Sequence, residues 1–300
     1  MSDKVWMITG ANSGFGLALA ELVLSRGQKV IACARDLKKI PESIEKAAPL
    51  QLDLSWPDSK IKAASKEVEG IYGRVDVLFN NAGWSLVSPV EELVMNELEA
   101  QFKVNFFGQV SVTQAILPIM KKQQSGQIFN MSSVAAMAGM SPFAAYNSSK
   151  AALESISEAL AREVERWNIQ VTIVEAGYFP TGFLGVAATT QRATAVEKTD
   201  YPEFVGQLQT YDDLHIKAKQ VGDTGKAVQR IFEVVEGTAA AQMKPQWRRL
   251  PLGPDAGKRI LAKIQLMKEN IEAYERIWCT TDMDVDKIDD FFKHREGKVA

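Results

Sequence analysis

Six short apolar runs alternate with amphipathic helical stretches along the first part of this chain, and that alternation leaves few folds open. The runs are Val5–Ile8, Lys29–Ala34, Leu50–Leu52, Asp76–Phe79, Gln127–Asn130 and Gln170–Val174. Each is nearly continuously apolar, the pattern of strands buried on both faces of a parallel sheet. Helical periodicity covers Gly14–Arg26, closed by Gly27, then Pro57 to about Ile71, a long stretch Val90–Gln124, and Tyr146–Trp167. Parallel neighbours need crossovers, and right-handed crossovers put helices on both sides. The expected fold is therefore an α/β, doubly wound parallel sheet with helices on both faces.

The regularity breaks after Gly177. Residues 179–225 are rich in Thr, Gln and Ala with scattered aromatics. They read as a helical substrate lobe inserted in a single domain spanning 1–300. A helix around Gly225–Val235 resumes the fold, Trp247–Leu252 suggests a short last strand, and Pro254–Trp278 an amphipathic helix. The tail 280–300 is polar apart from Ile288, Phe291 and Phe292.

Composition narrows the function classes. The formal charge is −2, so no global basic field points to nucleic acid or an anionic membrane. Two cysteines far apart, Cys33 and Cys279, argue against a disulfide framework, and Cys33 in an apolar run reads as a small buried hydrophobe. His215 and His294 are the only histidines, so no metal cluster is expected. MSDKVWMITG runs straight into a strand, without the pattern of a secretion signal, and no apolar run approaches the length of a membrane span. A soluble cytoplasmic protein is expected.

Thr9-Gly10-Ala11-Asn12-Ser13-Gly14-Phe15-Gly16 follows the first run and opens the first helix. A sheet presents a helix N-terminus to a phosphate at this place, and glycines there allow a tight turn and close backbone approach. A glycine-rich surface turn is the bland alternative, but the flanking strand and helix favour a dinucleotide.

Tyr146 and Lys150 lie one helical turn apart, with Ser133 thirteen positions upstream of the tyrosine. An ammonium beside a phenol favours the phenolate and lowers its pKa, making a general acid or base for interconverting a carbonyl and an alcohol. Alone, a tyrosine and lysine at this spacing also suit an ordinary surface.

Taken with the glycine turn, Asn80-Asn81-Ala82-Gly83 after the fourth run and Asn105 in the long helical stretch, these motifs resemble the short-chain dehydrogenase/reductase family, over about residues 4–180 and more loosely beyond. WRRLPLGPD and the helix after it resemble a bacterial and fungal subgroup with an extended C-terminus. The resemblance implies a Rossmann-like fold, a nicotinamide cofactor and hydride transfer to or from a carbonyl. It assigns catalysis to Ser133, Tyr146, Lys150 and Asn105. The tyrosine would move the proton, the lysine would tune it and hold the nicotinamide ribose, the serine would polarise the carbonyl, and the asparagine would join a proton path. The thirteen-residue offset favours Ser133 over its neighbour Ser132.

Cofactor contacts are expected from Gly10, Asn12, Ser13, Gly14, Phe15 and Gly16 at the phosphates. Asp53 and Leu54 would flank the adenine, with Asn81, Ala82 and Gly83 along the adenosine side. Gly177 and Thr181 would lie toward the carboxamide, beside Tyr146 and Lys150. Proline is usual before this glycine; Ala176 stands there. Ala34 occupies the usual acidic position at the end of the second run and Arg35 follows, which predicts NADP(H) through a guanidinium–phosphate contact. Lys38 and Lys39 add to the field. The alternative leaves Arg35 in solvent and gives the ribose to Asp36.

Trp84, Ala135, Met140, Phe143, Tyr178 and Phe183 are candidate substrate contacts, and their character suggests a bulky apolar ketone, aldehyde or alcohol. The resemblance implies a homodimer or homotetramer. A catalytically silent NADP-binding sensor is the rival class. A sugar-nucleotide epimerase or dehydratase fits less well, because its glycine spacing differs.

Overall fold

In β1 (Val5–Thr9), Val5 and Met7 face one side of the sheet while Trp6 and Ile8 face the other, and all four are buried. Both faces of the central strand are therefore apolar, and both must be covered by helices. The computed structural model describes residues 3–181, 199–203, 221–238 and 248–282. Residues Met1–Arg259 form one compact unit and Ile260–Ala300 a second.

The first unit is built on a seven-stranded sheet, in which β1 is joined by β2 (Lys29–Ala34), β3 (Ala48–Gln51), β4 (Val77–Asn80), β5 (Gly126–Ser133), β6 (Ile169–Ala176) and β7 (Arg249–Leu252). The order is β3-β2-β1-β4-β5-β6-β7 and every pairing is parallel. This is the doubly wound, Rossmann-like sheet expected from the alternation. β3 contains Pro49, which the sheet tolerates because β3 is an edge strand.

The helices are α1 (Gly14–Ser25), α2 (Asp58–Lys66), α3 (Val68–Ile71), α4 (Met95–Phe102), α5 (Gln109–Gln123), α6 (Val134–Met137), α7 (Ala144–Glu163) and α8 (Thr224–Glu236). One core joins Trp6, Ile8, Val30 and Phe79 of the sheet to Leu19 and Val23 of α1 and to Ile231 and Phe232 of α8. The opposite core joins Met7, Ile31, Leu78 and Ile128 to Ile61 of α2, Ile116 of α5 and Ala161 of α7. Each such large side chain, fully buried, contributes about 1.5–3 kcal/mol. Cys33 lies in this second core, and burial pushes its thiol up. No helix among the described residues is long and apolar enough to cross a membrane.

The long helix expected over Val90–Gln124 is broken. Helical structure starts only at Met95, and a π-helical turn, Lys103–Gly108, separates α4 from α5. The acids before Met95 serve another contact: Thr199 Oγ1 and Asp200 N donate to Glu92 Oε1 at 2.9 and 3.0 Å, and the Tyr201 hydroxyl donates to Glu91. Much of the expected lobe, including Phe183, Phe204 and Tyr211, and most of the 280–300 tail lie outside the described residues. Helix α9 (Pro254–Ala273) starts on a proline, whose missing N–H costs nothing at a first helical position. In the second unit, the remainder of α9 and α10 (Glu275–Trp278) expose Ile264, Met267, Ile271, Tyr274 and Trp278.

Beside the sheet edge, Arg249 of β7 gathers three carboxylates. Nη1 donates to Glu154 of α7 at 2.6 Å and to Glu175 of β6 at 2.7 Å, and Nη2 donates to Glu158 at 2.6 Å. Glu154 and Glu175 side chains are 5% and 1% exposed, and Arg249 is the cation that pairs with both. Burial, then the neighbouring Glu154, pushes the Glu175 carboxyl up, and Arg249 opposes them. Arg249→Met strands buried carboxylates, and we expect a loss of about 3 kcal/mol at neutral pH in urea unfolding. The loss should shrink at acid pH, because a protonated Glu175 no longer needs the cation. A midpoint unchanged from wild type at neutral pH would show that solvent reaches these carboxylates.

Candidate active site

The strand order turns around between β1 and β4, so their carboxyl ends part and leave a crevice. A cavity of about 840 Å³ fills it. Thr9 ends β1 and ties the crevice walls together: the N–H groups of Asn81 and Ala82 donate to its Oγ1 at 2.9 and 3.0 Å, and Asn81 Nδ2 donates to its carbonyl at 2.9 Å. Gly10 and Gly14 sit at φ +66° and +55°, in the left-handed region. A Cβ on Gly16 would overlap the Gly10 carbonyl. Ser13 caps α1 without a side-chain hydrogen bond, and no acid stands in the first turn. The helix therefore presents uncovered N–H groups and its positive end to the cavity, beside Asn12 and Phe15. These features fit the pyrophosphate of a dinucleotide.

At one end the cavity is lined by Arg35, Asp36, Lys39, Asp53 and Leu54. Asp36 Oδ1 accepts from Lys38 N at 3.0 Å, so part of that carboxylate is engaged within its own turn. Asp53 Oδ1 accepts from the Ser55 N–H and hydroxyl at 2.9 and 2.7 Å. Lys38 does not line the cavity.

At the other end stand Ser133, Tyr146 and Lys150. Ser133 closes β5 and its hydroxyl hydrogen-bonds Tyr146. Ser132 points elsewhere, donating to Glu154 Oε1 at 2.6 Å. Helix α7 buries Tyr146, Lys150 and Glu154 at successive turns. The expected lowering of the tyrosine pKa by Lys150 is not what this geometry produces. Burial dominates and pushes Tyr146 up to about 12, against the Ser133 hydrogen bond and with help from Glu154. Burial also pushes Lys150 down to about 8, against the Glu154 charge. The ammonium is committed elsewhere, donating to Met131 O at 2.6 Å and standing 5.9 Å from the Tyr146 ring centroid.

Asn105 lies in the π-helical turn, fully buried. Its Oδ1 accepts from Trp84 N at 3.1 Å, and its Nδ2 donates to Trp84 O at 2.9 Å and to Ser149 Oγ at 3.2 Å. Gly83 lies against it, and a Cβ there would stand 3.1 Å from Asn105 Oδ1 and 3.6 Å from Lys150 Nζ. Gln101 and Gln109 flank Asn105 at four-residue intervals. Gln101 binds Leu86 N and Trp84 O, and Gln109 donates to Ala82 O at 2.9 Å. Sequence reasoning missed both, although polar residues at helical spacing in an otherwise apolar stretch were the available signal.

The loop after β6 carries Gly177, Tyr178 and Thr181 into the cavity, with Ala176 still paired in the sheet opposite Leu252. Its anchorage comes from the next strand and helix: Gly177 N donates to Leu252 O and Tyr178 N to Asp255 Oδ2, both at 2.9 Å. Asp255 packs so closely on Gly177 that a Cβ there would overlap its carboxylate. Asp255 and Arg259, which also lines the cavity, were not read as site residues from sequence. Trp84, Ala135, Met140 and Phe143 line the wall near Tyr146, and Tyr201 packs behind them.

Residues 4–192 match the family model described as short chain dehydrogenase. Oxidoreductase calM of Penicillium decumbens is 34% identical, over 92% of this chain and 92% of that protein. A short-chain dehydrogenase from Streptomyces avermitilis superposes with a TM-score of 0.79 at 31% identity, covering 94% of this chain and all of that one. A metagenomic short-chain oxidoreductase solved in complex with NADP gives a TM-score of 0.55 at 31% identity, covering 59% of this chain and 83% of that one. The chain belongs to the short-chain dehydrogenase family and is an oxidoreductase of that type.

Proposed function

We propose that the protein is an NADPH-dependent carbonyl reductase acting on a bulky, apolar ketone or aldehyde. The observation that carries the reading is the pairing of Ser133 with Tyr146 above buried Lys150, at the apolar end of the cavity. When bound, the nicotinamide supplies the hydride or accepts it in the reverse direction. Tyr146, kept protonated by burial, donates its proton to the oxygen where negative charge develops. Ser133 offers that oxygen a preorganised hydrogen bond. Lys150, close to both Gly83 and Met131, supplies positive charge beneath the phenol as the proton leaves. Asn105 acts by holding the Trp84 backbone and Ser149 in place. Support for NADP over NAD comes from Arg35 on the cavity wall and from the partial engagement of Asp36 by Lys38 N.

Three measurements test this reading. A panel of aromatic and long-chain aldehydes and ketones, followed by loss of NADPH absorbance, should contain substrates, and Tyr146→Phe should slow their turnover by about 100-fold or more with NADPH binding intact. Near-normal turnover in that variant would refute the assignment. Arg35→Ala should raise the KM for NADPH about tenfold and leave that for NADH unchanged; equal effects on both would return the selectivity to Asp36. The reductive rate should stay level below about pH 8 and fall above it, as Lys150 loses its proton while Tyr146 keeps its own. A rate that climbs through pH 8–9 would contradict the role given to the ammonium.

A further inference from the structure

Helix α9 delivers one cation to the reacting end of the cavity. Arg259 lies one turn past Asp255, whose carboxylate holds the Tyr178 N–H, and its guanidinium carbon stands 5.7 Å from the Tyr178 ring centroid. The ring supports the flat guanidinium, a geometry that leaves forked donors for a planar oxyacid. Among the described residues Arg259 has no carboxylate partner, and it is half-buried. The two acids on the cavity wall, Asp36 and Asp53, are both at the opposite end with Arg35 and Lys39.

A cofactor's phosphates already have their places. The uncovered N-terminus of α1 suits the pyrophosphate, and Arg35 suits a ribose phosphate. Arg259 shares the cavity lining with Tyr178, Trp84, Met140 and Phe143, and its guanidinium stands beside the Tyr178 ring. A purely apolar substrate would leave the half-buried guanidinium without a charged partner in the cavity, whereas an anionic group would supply one.

We propose that Arg259 is a specificity residue that binds an anionic oxyacid group, a carboxylate foremost, carried by the apolar carbonyl substrate. The substrate class is then an amphipathic oxo acid, its carbonyl at Tyr146 and its acid at Arg259. The inference rests on the carbonyl-reduction reading but is tested by binding, so the two fail separately.

The probe is a biphenyl carboxylic acid bearing an aldehyde on the far ring, compared with its methyl ester. Each is titrated calorimetrically into the NADP+-loaded protein, in which no reduction occurs. The acid should bind at least about tenfold more tightly than the ester. Arg259→Met should remove that difference, Arg259→Lys should keep part of it, and both should bind NADP+ as the wild type does. Equal binding of acid and ester by the wild type overturns the proposal, as does failure of both to bind at millimolar concentration. So does an Arg259→Met variant that loses NADP+ affinity while keeping the acid-to-ester ratio, which would move the arginine to the cofactor. Absence of turnover across the carbonyl panel would sink the reductase reading and leave this ratio standing.

Discussion

The Thr9 hydroxyl carries more of this architecture than its size suggests. A crevice opens only where neighbouring parallel strands send their chains to opposite sides, and here that place is the gap between β1 and β4. The departing loops need a bond across the gap, and backbone pairing has ended there. Thr9 Oγ1 provides it, accepting from Asn81 N and Ala82 N, and Asn81 answers by donating to the Thr9 carbonyl. With that clasp in place, the glycine turn can fold back until Gly16 touches the Gly10 carbonyl, and the Asn81-Ala82-Gly83 loop can run close to Lys150. The glycine turn and the loop beside Lys150 are thus both tied to one side-chain oxygen.

Charge in the centre is balanced through helix α7. Tyr146, Lys150 and Glu154 stand one above another, and the last reaches Arg249, which also holds Glu175. Buried Lys150 and part-exposed Arg249 face two buried carboxylates. Removing water weakens every charge it isolates, so Lys150 falls toward neutrality, while Glu154 pulls it back toward the ammonium. The same Glu154 charge raises the phenol. Burial therefore keeps the tyrosine protonated and leaves the lysine near the point where its charge can change.

The fold was largely legible because buried parallel strands announce themselves as apolar runs, and six of seven did so. β7 was harder, with Arg249 and Pro251 in only four residues at the sheet edge. The break in the long helix was hidden for a different reason. Residues before Met95 carry helical periodicity, but Glu91 and Glu92 are spent on residues 199–201, a long-range contact that local pattern does not encode. In the site, Gly10, Gly16, Ser133, Tyr146 and Lys150 were readable because backbone geometry and one-turn spacing leave marks at short range. Arg249, Asp255 and Arg259 were not, since their partners lie far away in sequence and only strand pairing brings them together.

The π-helical turn shows what the break accomplishes. Gln101, Asn105 and Gln109 recur every four residues across this turn, a spacing that keeps side chains near one face of a helix. Across the widened turn Lys103–Gly108 they bond Leu86, Trp84 and Ala82 in succession. Those bonds fix the loop carrying Gly83 and Trp84, the first beside Lys150 and the second on the cavity wall. A locally weaker helix accompanies a well-anchored loop at the cavity wall, which fits the frequent occurrence of such turns at functional sites. It also explains why Asn105 is satisfied on all sides by backbone and Ser149: its place is set by the loop it supports.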